Sequence, residues 1–296
     1  MFAPPTPNSI AEGALKICNT ISTSNPFFIG RNGTIEVEVL YFWLVYRAEN
    51  PYPYPFTLKK QLERNAGVFP ATEESVDRWC EAYMKALGFL NGGAAGWYQP
   101  IVKKEMAILN GFARKDSFHT PLRSLEPYYM PVGQRWTERL RGRKVCIVSS
   151  FTDTIQKQIE KPIWTGDKEG LLSGIKWSFV RTGYAPSIAQ GRAEWPTECS
   201  IWDLAVAHVT KEVAATGADI ALIGCGGLGM VIAGKLREQG VSSFVLGGAI
   251  QVLFGIKGKR WVNHDVISRF WNDAWVWPSE NEVPGAAAAI EGGCYW

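Results

Sequence analysis

The stretch ADIALIGCGGLGMVIAGKLREQG, residues 218–240, decides the fold. An apolar run over Asp219–Ile223 reads as a buried strand, and the residues after the glycines carry apolar positions at helical spacing. Gly224, Gly226 and Gly229 satisfy G-x-G-x-x-G at the turn between them, with Gly227 inside it. Glycines let the chain turn tightly there, and amides at the helix start can face a phosphate. A second reading stays open, in which the same glycines serve close packing alone.

Strands and helices alternate on both sides of this turn. Upstream, Lys144–Ser149 (KVCIVS) is a near-continuous apolar strand, Thr152–Lys161 a helix and Trp177–Arg181 a further strand. Trp202, Ala205, Val206, Val209 and Val213 lie at helical spacing within Glu198–Thr216, which Gly217 ends. Downstream, Ser242–Leu246 is the next strand. This order predicts an α/β protein with a Rossmann-like parallel sheet and helices on both faces. Residues from about Lys144 to Phe254 form the phosphate-binding unit.

A dinucleotide site also needs a carboxylate at the end of the strand after the glycine helix, to accept from the adenosine ribose. That strand runs into Gly247, Gly248 and Ala249 instead, so no NAD is expected. The segment GGAIQVLFGIKGKRW, residues 247–261, then supplies Gly248, Gln251, Lys257, Lys259 and Arg260. Two cationic chemistries, a compact ammonium and a planar guanidinium, suit a diphosphate.

The N-terminal half has its own turn, FFIGRNGTIEVEV at residues 27–39. Pro26–Gly30 reads as a strand and Gly33–Arg47 as a helix, so Arg31, Gly33 and Glu36 lie at the carboxyl edge of the sheet. There Arg31 binds phosphate and Glu36 acts as base or metal ligand, or the two simply pair with each other. Glu38 faces the other way on a helix. Thr72 reads as an N-cap for a helix reaching Leu87, with Trp79, Tyr83, Ala86 and Leu87 on its buried face. The prolines of Pro51–Phe56 mark a linker or rim loop. Ala94–Tyr98 reads as a strand, Ile101–Leu109 as a helix, and Pro121–Gly133 as a connection and candidate domain boundary. The expected organisation is an N-terminal arm over 1–25 with a short helix, an α/β half over 26–133 and a nucleotide-binding half over 134–296.

The Arg-x-Gly-x-x-Glu turn after FFIG, with LIGCGGLG and GGAIQVLFGIKGKRW, resembles the GT-D type of glycosyltransferase and related bacterial and viral sequences, across most of residues 26–261. The resemblance implies transfer of a sugar from a nucleotide diphosphate sugar to a hydroxyl of a glycan or glycoconjugate. In that family an Asp-x-Glu pair in the first turn binds a divalent metal, so Glu36 inherits the second carboxylate's role toward Mn²⁺ or Mg²⁺. Thr34 stands where the aspartate would be, which leaves Arg31, Lys257 and Arg260 to replace the metal's charge. Two other classes stay open, a nucleotide-dependent oxidoreductase and a non-catalytic nucleotide- or sugar-binding module.

Composition narrows the field. With 46% hydrophobic and 20% charged residues, the 296-residue chain can bury a full core. A net charge of +3, with Arg135–Lys144 as the one locally basic stretch, offers no stripe for nucleic acid. Six scattered cysteines lack metal-ligand spacing, and no G-x-S-x-G elbow is present. No membrane span or leader pattern is read, so the expected compartment is the cytoplasm. Of the three histidines, His208 lies on an apolar helix face, whereas His264 follows the cationic turn and is a candidate base or acceptor contact. Tryptophans gather toward the C-terminus, and the ending EGGCYW is apolar enough to tuck against the body.

Overall fold

A computed structural model describes residues 10–24, 26–50 and 52–296. Seven strands form one sheet: β1 (Phe28–Arg31), β2 (Gly92–Ala94), β3 (Phe118–Thr120), β4 (Lys144–Ser149), β5 (Lys176–Arg181), β6 (Ile220–Gly224) and β7 (Ser242–Val245). Their order is β3-β2-β1-β7-β6-β4-β5, and every pairing is parallel. The architecture is therefore α/β and Rossmann-like. Residues 26–133 and 134–296 contribute strands to this same sheet and meet where β1 pairs with β7.

The parallel strands are covered on both sides, and their residues divide by the two-residue period of a strand. Cys146, Val148, Ala221 and Ile223 enter one core, while Val145, Ile147, Ile220 and Leu222 enter the other. The first core is closed by α2 (Thr34–Phe42), α3 (Phe56–Ala66), α4 (Glu73–Leu87), α5 (Val102–Phe112), α8 (Trp202–Ala215) and α9 (Gly229–Glu238). On the opposite face lie α1 (Ile10–Thr23), α6 (Thr152–Gln158), α7 (Pro186–Ala189), α10 (Ala249–Leu253) and the tryptophan-rich C-terminal turns. Trp136, fully buried, stacks on Phe244 at 4.3 Å between ring centroids.

Local chemistry explains the best-defined boundaries. Thr72 accepts a hydrogen bond from the Ser75 amide and caps α4, and all four residues expected on its buried face are buried. Glycine permits close approach of α9. A Cβ at Gly30 would lie 2.8 Å from Met230 Sδ, and one at Gly234 2.6 Å from Ala86 Cβ.

Several expectations shift. The expected strand at Ala94–Tyr98 is instead β2 at Gly92–Ala94, with the chain turning after it. The proline segment expected as a linker or rim loop runs directly into α3, which begins at Phe56 with Pro55 as its N-cap and which the sequence reading does not contain. β3 has no counterpart in the sequence reading. Of the N-terminal arm, residues 1–9 and Asn25 lie outside the described residues, as does Pro51 of the proline segment. The described part of the arm is α1, which buries Ala14, Ile17, Cys18 and Ile21.

Candidate functional site

Parallel strands deliver the turns that follow them to a common edge, and a crevice opens where neighbouring strands send the chain in opposite directions. Here β4 leads outward to β5, whereas its neighbour β6 leads back to β7. A cavity of about 540 Å³ lies at that edge, bordered by Ser150 and Phe151 after β4 and by Gly224, Cys225 and Gly226 of β6 and its turn. It extends to Arg31, Gly33, Thr34 and Glu36 after β1, to Gly247, Gly248 and Gln251 after β7, and to Arg260, Glu291 and Tyr295. A second cavity, about 600 Å³, lies toward β2 and β3. Arg31, Trp97, Gly248 and Arg260 border both, so the two chambers share a wall with two guanidinium groups.

Arg31 ends β1. Its guanidinium lies 5.4 Å from the centre of the Trp97 ring and against Gly247, where a Cβ would stand 2.7 Å from Nη2. Gly247 also takes φ +56, so glycine answers both the turn and the contact. No ion pair joins Arg31 to Glu36 among the described residues. The carboxylate of Glu36 instead folds over Gly33, so that a Cβ there would run into it, and its Cγ lies 3.4 Å from a Cβ placed on Gly227. Burial raises the pKa of Glu36, and the nearby Arg31 opposes that rise.

The ends of β1 and β2 are tied by a buried network. Tyr83 donates to Asn32 Oδ1 at 2.9 Å, Asn32 Nδ2 donates to Glu105 Oε1 at 3.0 Å, and Glu105 Oε2 accepts from the Gly96 amide at 2.8 Å. Arg31 and Trp97 are the sequence neighbours of Asn32 and Gly96, so this network sets the wall between the chambers. Burial also raises the pKa of Glu105, against its two donors.

Arg260 is ion-paired with Glu291 and lies 4.7 Å over the Tyr295 ring. Glu291 holds a left-handed backbone, φ +45, a conformation costly for a residue with a Cβ. The C-terminal turn does tuck back: Trp296 packs on Phe151 and Tyr184. Gln251 is fully buried, its Nε2 donating to the Tyr295 carbonyl at 3.0 Å while Oε1 has no hydrogen-bond partner.

The structure therefore gathers Arg31, Gly33, Glu36, Gly224, Gly226, Gly248, Gln251 and Arg260 around one cavity, with His264 on the other. It does not bring Gly227, Gly229 or Lys257 to either lining. Gly229 sits 3.0 Å, by its would-be Cβ, from Val245, and Gly227 carries a carbonyl that accepts from Trp79 Nε1 at 3.0 Å. Lys257 lies 5.4 Å over Trp271. Even Gly226, at φ +47, presses on the Ala66 carbonyl, 2.7 Å from a would-be Cβ. Packing thus accounts for much of the glycine pattern.

His264 is set up as a donor. Its Nδ1 accepts from the Val266 and Ile267 amides, each at 3.2 Å, so the neutral ring carries its proton on Nε2 and offers no free lone pair for a base. A divalent cation fits the first turn poorly. Hard cations want several oxygen donors, but Glu36 is folded onto its own turn beside Arg31, and no three His, Cys, Asp or Glu side chains converge among the described residues. Tertiary structure alone contributes Trp97, Glu126, Glu291 and Tyr295 to the chambers; no spacing signal in the sequence marks them.

No protein-family model matches the chain, and no curated protein matches it. Among solved structures, a selenomethionine-substituted structure of domain of unknown function 1792 is similar, with 14% identity, a TM-score of 0.38, and 82% of each chain covered. No helix among the described residues is long and apolar enough to cross a membrane.

Proposed function

We propose that the protein is a glycosyltransferase that takes a nucleotide diphosphate sugar as donor and a hydroxyl of a glycan or glycoconjugate as acceptor. One observation carries the reading: Arg31 and Arg260 stand in the wall between two chambers, one of them in the crevice between β4 and β6. A diphosphate placed at that wall meets two planar cations. Charge then accumulates on the departing nucleoside diphosphate where fixed donors await it, which is how such sites lower a barrier.

The roles follow from placement. The chamber between β4 and β6 holds the nucleotide, with about 540 Å³ falling in the usual range for small-ligand sites. Gln251 offers its unpaired Oε1 to a base or ribose hydroxyl. Arg31 and Arg260 grip the diphosphate without a resident metal. Glu36 stabilises the Gly33 turn that carries Arg31. The resemblance of the FFIG and LIGCGGLG segments to glycosyltransferases points the same way. Against NAD, the strand after the glycine helix runs into Gly247, Gly248 and Ala249 where a ribose-binding carboxylate is needed.

Thermal melts test this with UDP, GDP, UDP-glucose, GDP-mannose, NAD and NADP. A ligand that binds the native state raises the melting temperature. The diphosphate series should raise it and the dinucleotides should not; equal or greater stabilisation by NAD overturns the proposal.

A further inference from the structure

The second chamber carries chemistry that the donor site does not use. Glu126 borders it, in the connection after β3, within electrostatic reach of Arg31. Tyr128 is 1% exposed and lines the same space, with its hydroxyl within interaction reach of the Glu126 carboxyl. Trp97 Nε1, at the shared wall, is buried and has no hydrogen-bond partner. An idle indole donor, a tyrosine hydroxyl and a carboxylate facing one cavity form a set that a polyol satisfies, since each sugar hydroxyl both donates and accepts.

We propose that this chamber binds the acceptor as a pyranose ring and that Glu126 is the base that takes the proton of its attacking hydroxyl. The inference rests on the glycosyltransferase reading. The acceptor O–H bond breaks, its proton going to the Glu126 carboxylate. The oxygen forms a bond to the donor's anomeric carbon, and the anomeric C–O bond breaks with its electron pair passing to the diphosphate at Arg31 and Arg260. Atoms and charge balance without a further reactant. The shared wall puts the reacting atoms between the base on one side and the diphosphate on the other.

The surroundings suit that role. Burial pushes the Glu126 carboxyl up to about 7, against the lowering influence of Arg31, Tyr128 and Arg123. Tyr129 also faces it, and His264 and Arg260 line the same chamber. A base must be ionised to act, so the rate is full above about pH 7 and falls as the pH drops through that value. His264, with Nδ1 occupied by backbone amides, is left as a donor to the acceptor ring.

Saturation-transfer NMR with methyl β-D-glucopyranoside and methyl α-D-mannopyranoside, in the presence of UDP or GDP, reads the chamber directly. Leu122→Trp, which fills it, should weaken glycoside binding at least tenfold and leave nucleotide affinity within twofold. Glu126→Gln should keep both ligands bound, lower nucleoside diphosphate release from UDP-glucose or GDP-mannose by about 100-fold or more, and erase the limb near pH 7. The inference is overturned if the nucleotide binds and neither glycoside does, if Leu122→Trp leaves glycoside binding intact, or if Glu126→Gln turns over at the wild-type rate. A wild type that binds neither UDP nor GDP sinks the donor reading instead, and glycoside binding abolished by Leu122→Trp would still mark a sugar site.

Discussion

Replacing Arg31 by alanine removes a guanidinium that borders both chambers and has no ion-pair partner among the described residues. Within the protein it lies 5.4 Å from the face of Trp97 and against the Gly247 turn, within electrostatic reach of Glu36 and Glu126. A cation over an aromatic face contributes about 0.5–1 kcal/mol, so the melting temperature should fall by only about 1–4 °C. Binding should suffer far more. A hydrogen bond to a charged group contributes about 1.5–3 kcal/mol, and losing one from a diphosphate weakens UDP or GDP about 10- to 150-fold. Arg31→Lys keeps the charge and loses the planar fork, so its loss should be intermediate. Removing Arg31 also removes a charge that lowers the Glu126 pKa, so the activity limb near pH 7 should move to higher pH. Titration calorimetry with UDP and GDP, alongside melts of the free proteins, separates the two effects. An unchanged dissociation constant in Arg31→Ala would refute the assignment of the diphosphate to this wall.

Gly226→Ala forces a Cβ onto φ +47 and toward the Ala66 carbonyl, for a loss of about 2–4 kcal/mol by denaturant titration. Gly240→Ala, at φ +82 but in open space, should lose only about 1–2 kcal/mol; equal losses would show that the close contact is not what demands glycine. Glu105→Ala orphans Asn32 and the Gly96 amide, for about 1–3 kcal/mol of stability, and should weaken UDP or GDP as well by loosening the Arg31–Trp97 wall. Unaltered nucleotide binding in a folded Glu105→Ala protein would disconnect that network from the site. Mn²⁺ should stimulate the wild type at most modestly, and Thr34→Asp should increase that stimulation by supplying a second hard ligand next to Glu36; a wild type inactive without Mn²⁺ would contradict charge supply by the arginines.

The parts of the fold visible in the sequence are those whose side chains announce them. β4 and β6 are apolar runs buried on both faces, and α4 carries its cap and its buried face in plain spacing. β2 escapes such a reading because its own residues are Gly92, Gly93 and Ala94, which look like a turn. The structure shows why they are small: a Cβ at Gly93 would run into the Gly30 carbonyl, and one at Gly92 would lie 2.5 Å from the Phe118 ring. The start of α3 hides behind Pro53 and Pro55, although proline is well placed just before a helix. At the site, the turn from Arg31 to Glu36 is legible because a strand end, glycine and charge coincide within six residues. Gly226 and Gly227 are legible as glycines but not as neighbours of Ala66, whose helix the prolines conceal. Glu126 and Glu291 carry no local signal at all, since only the pairing of β1 with β2 and β7 and the return of the C-terminal turn bring them to the chambers.

Release of nucleoside diphosphate is the decisive readout for sugar transfer at the Arg31–Arg260 wall. Wild type and Arg31→Ala would be incubated with UDP-glucose, UDP-galactose, UDP-N-acetylglucosamine and GDP-mannose, each with methyl glycosides as acceptors, and free UDP or GDP measured over time. The wild type should release it from at least one donor, and Arg31→Ala should release it at least tenfold more slowly. Release from none of them, by a protein whose melting temperature rises with NAD and with no diphosphate sugar, would contradict sugar transfer at that wall.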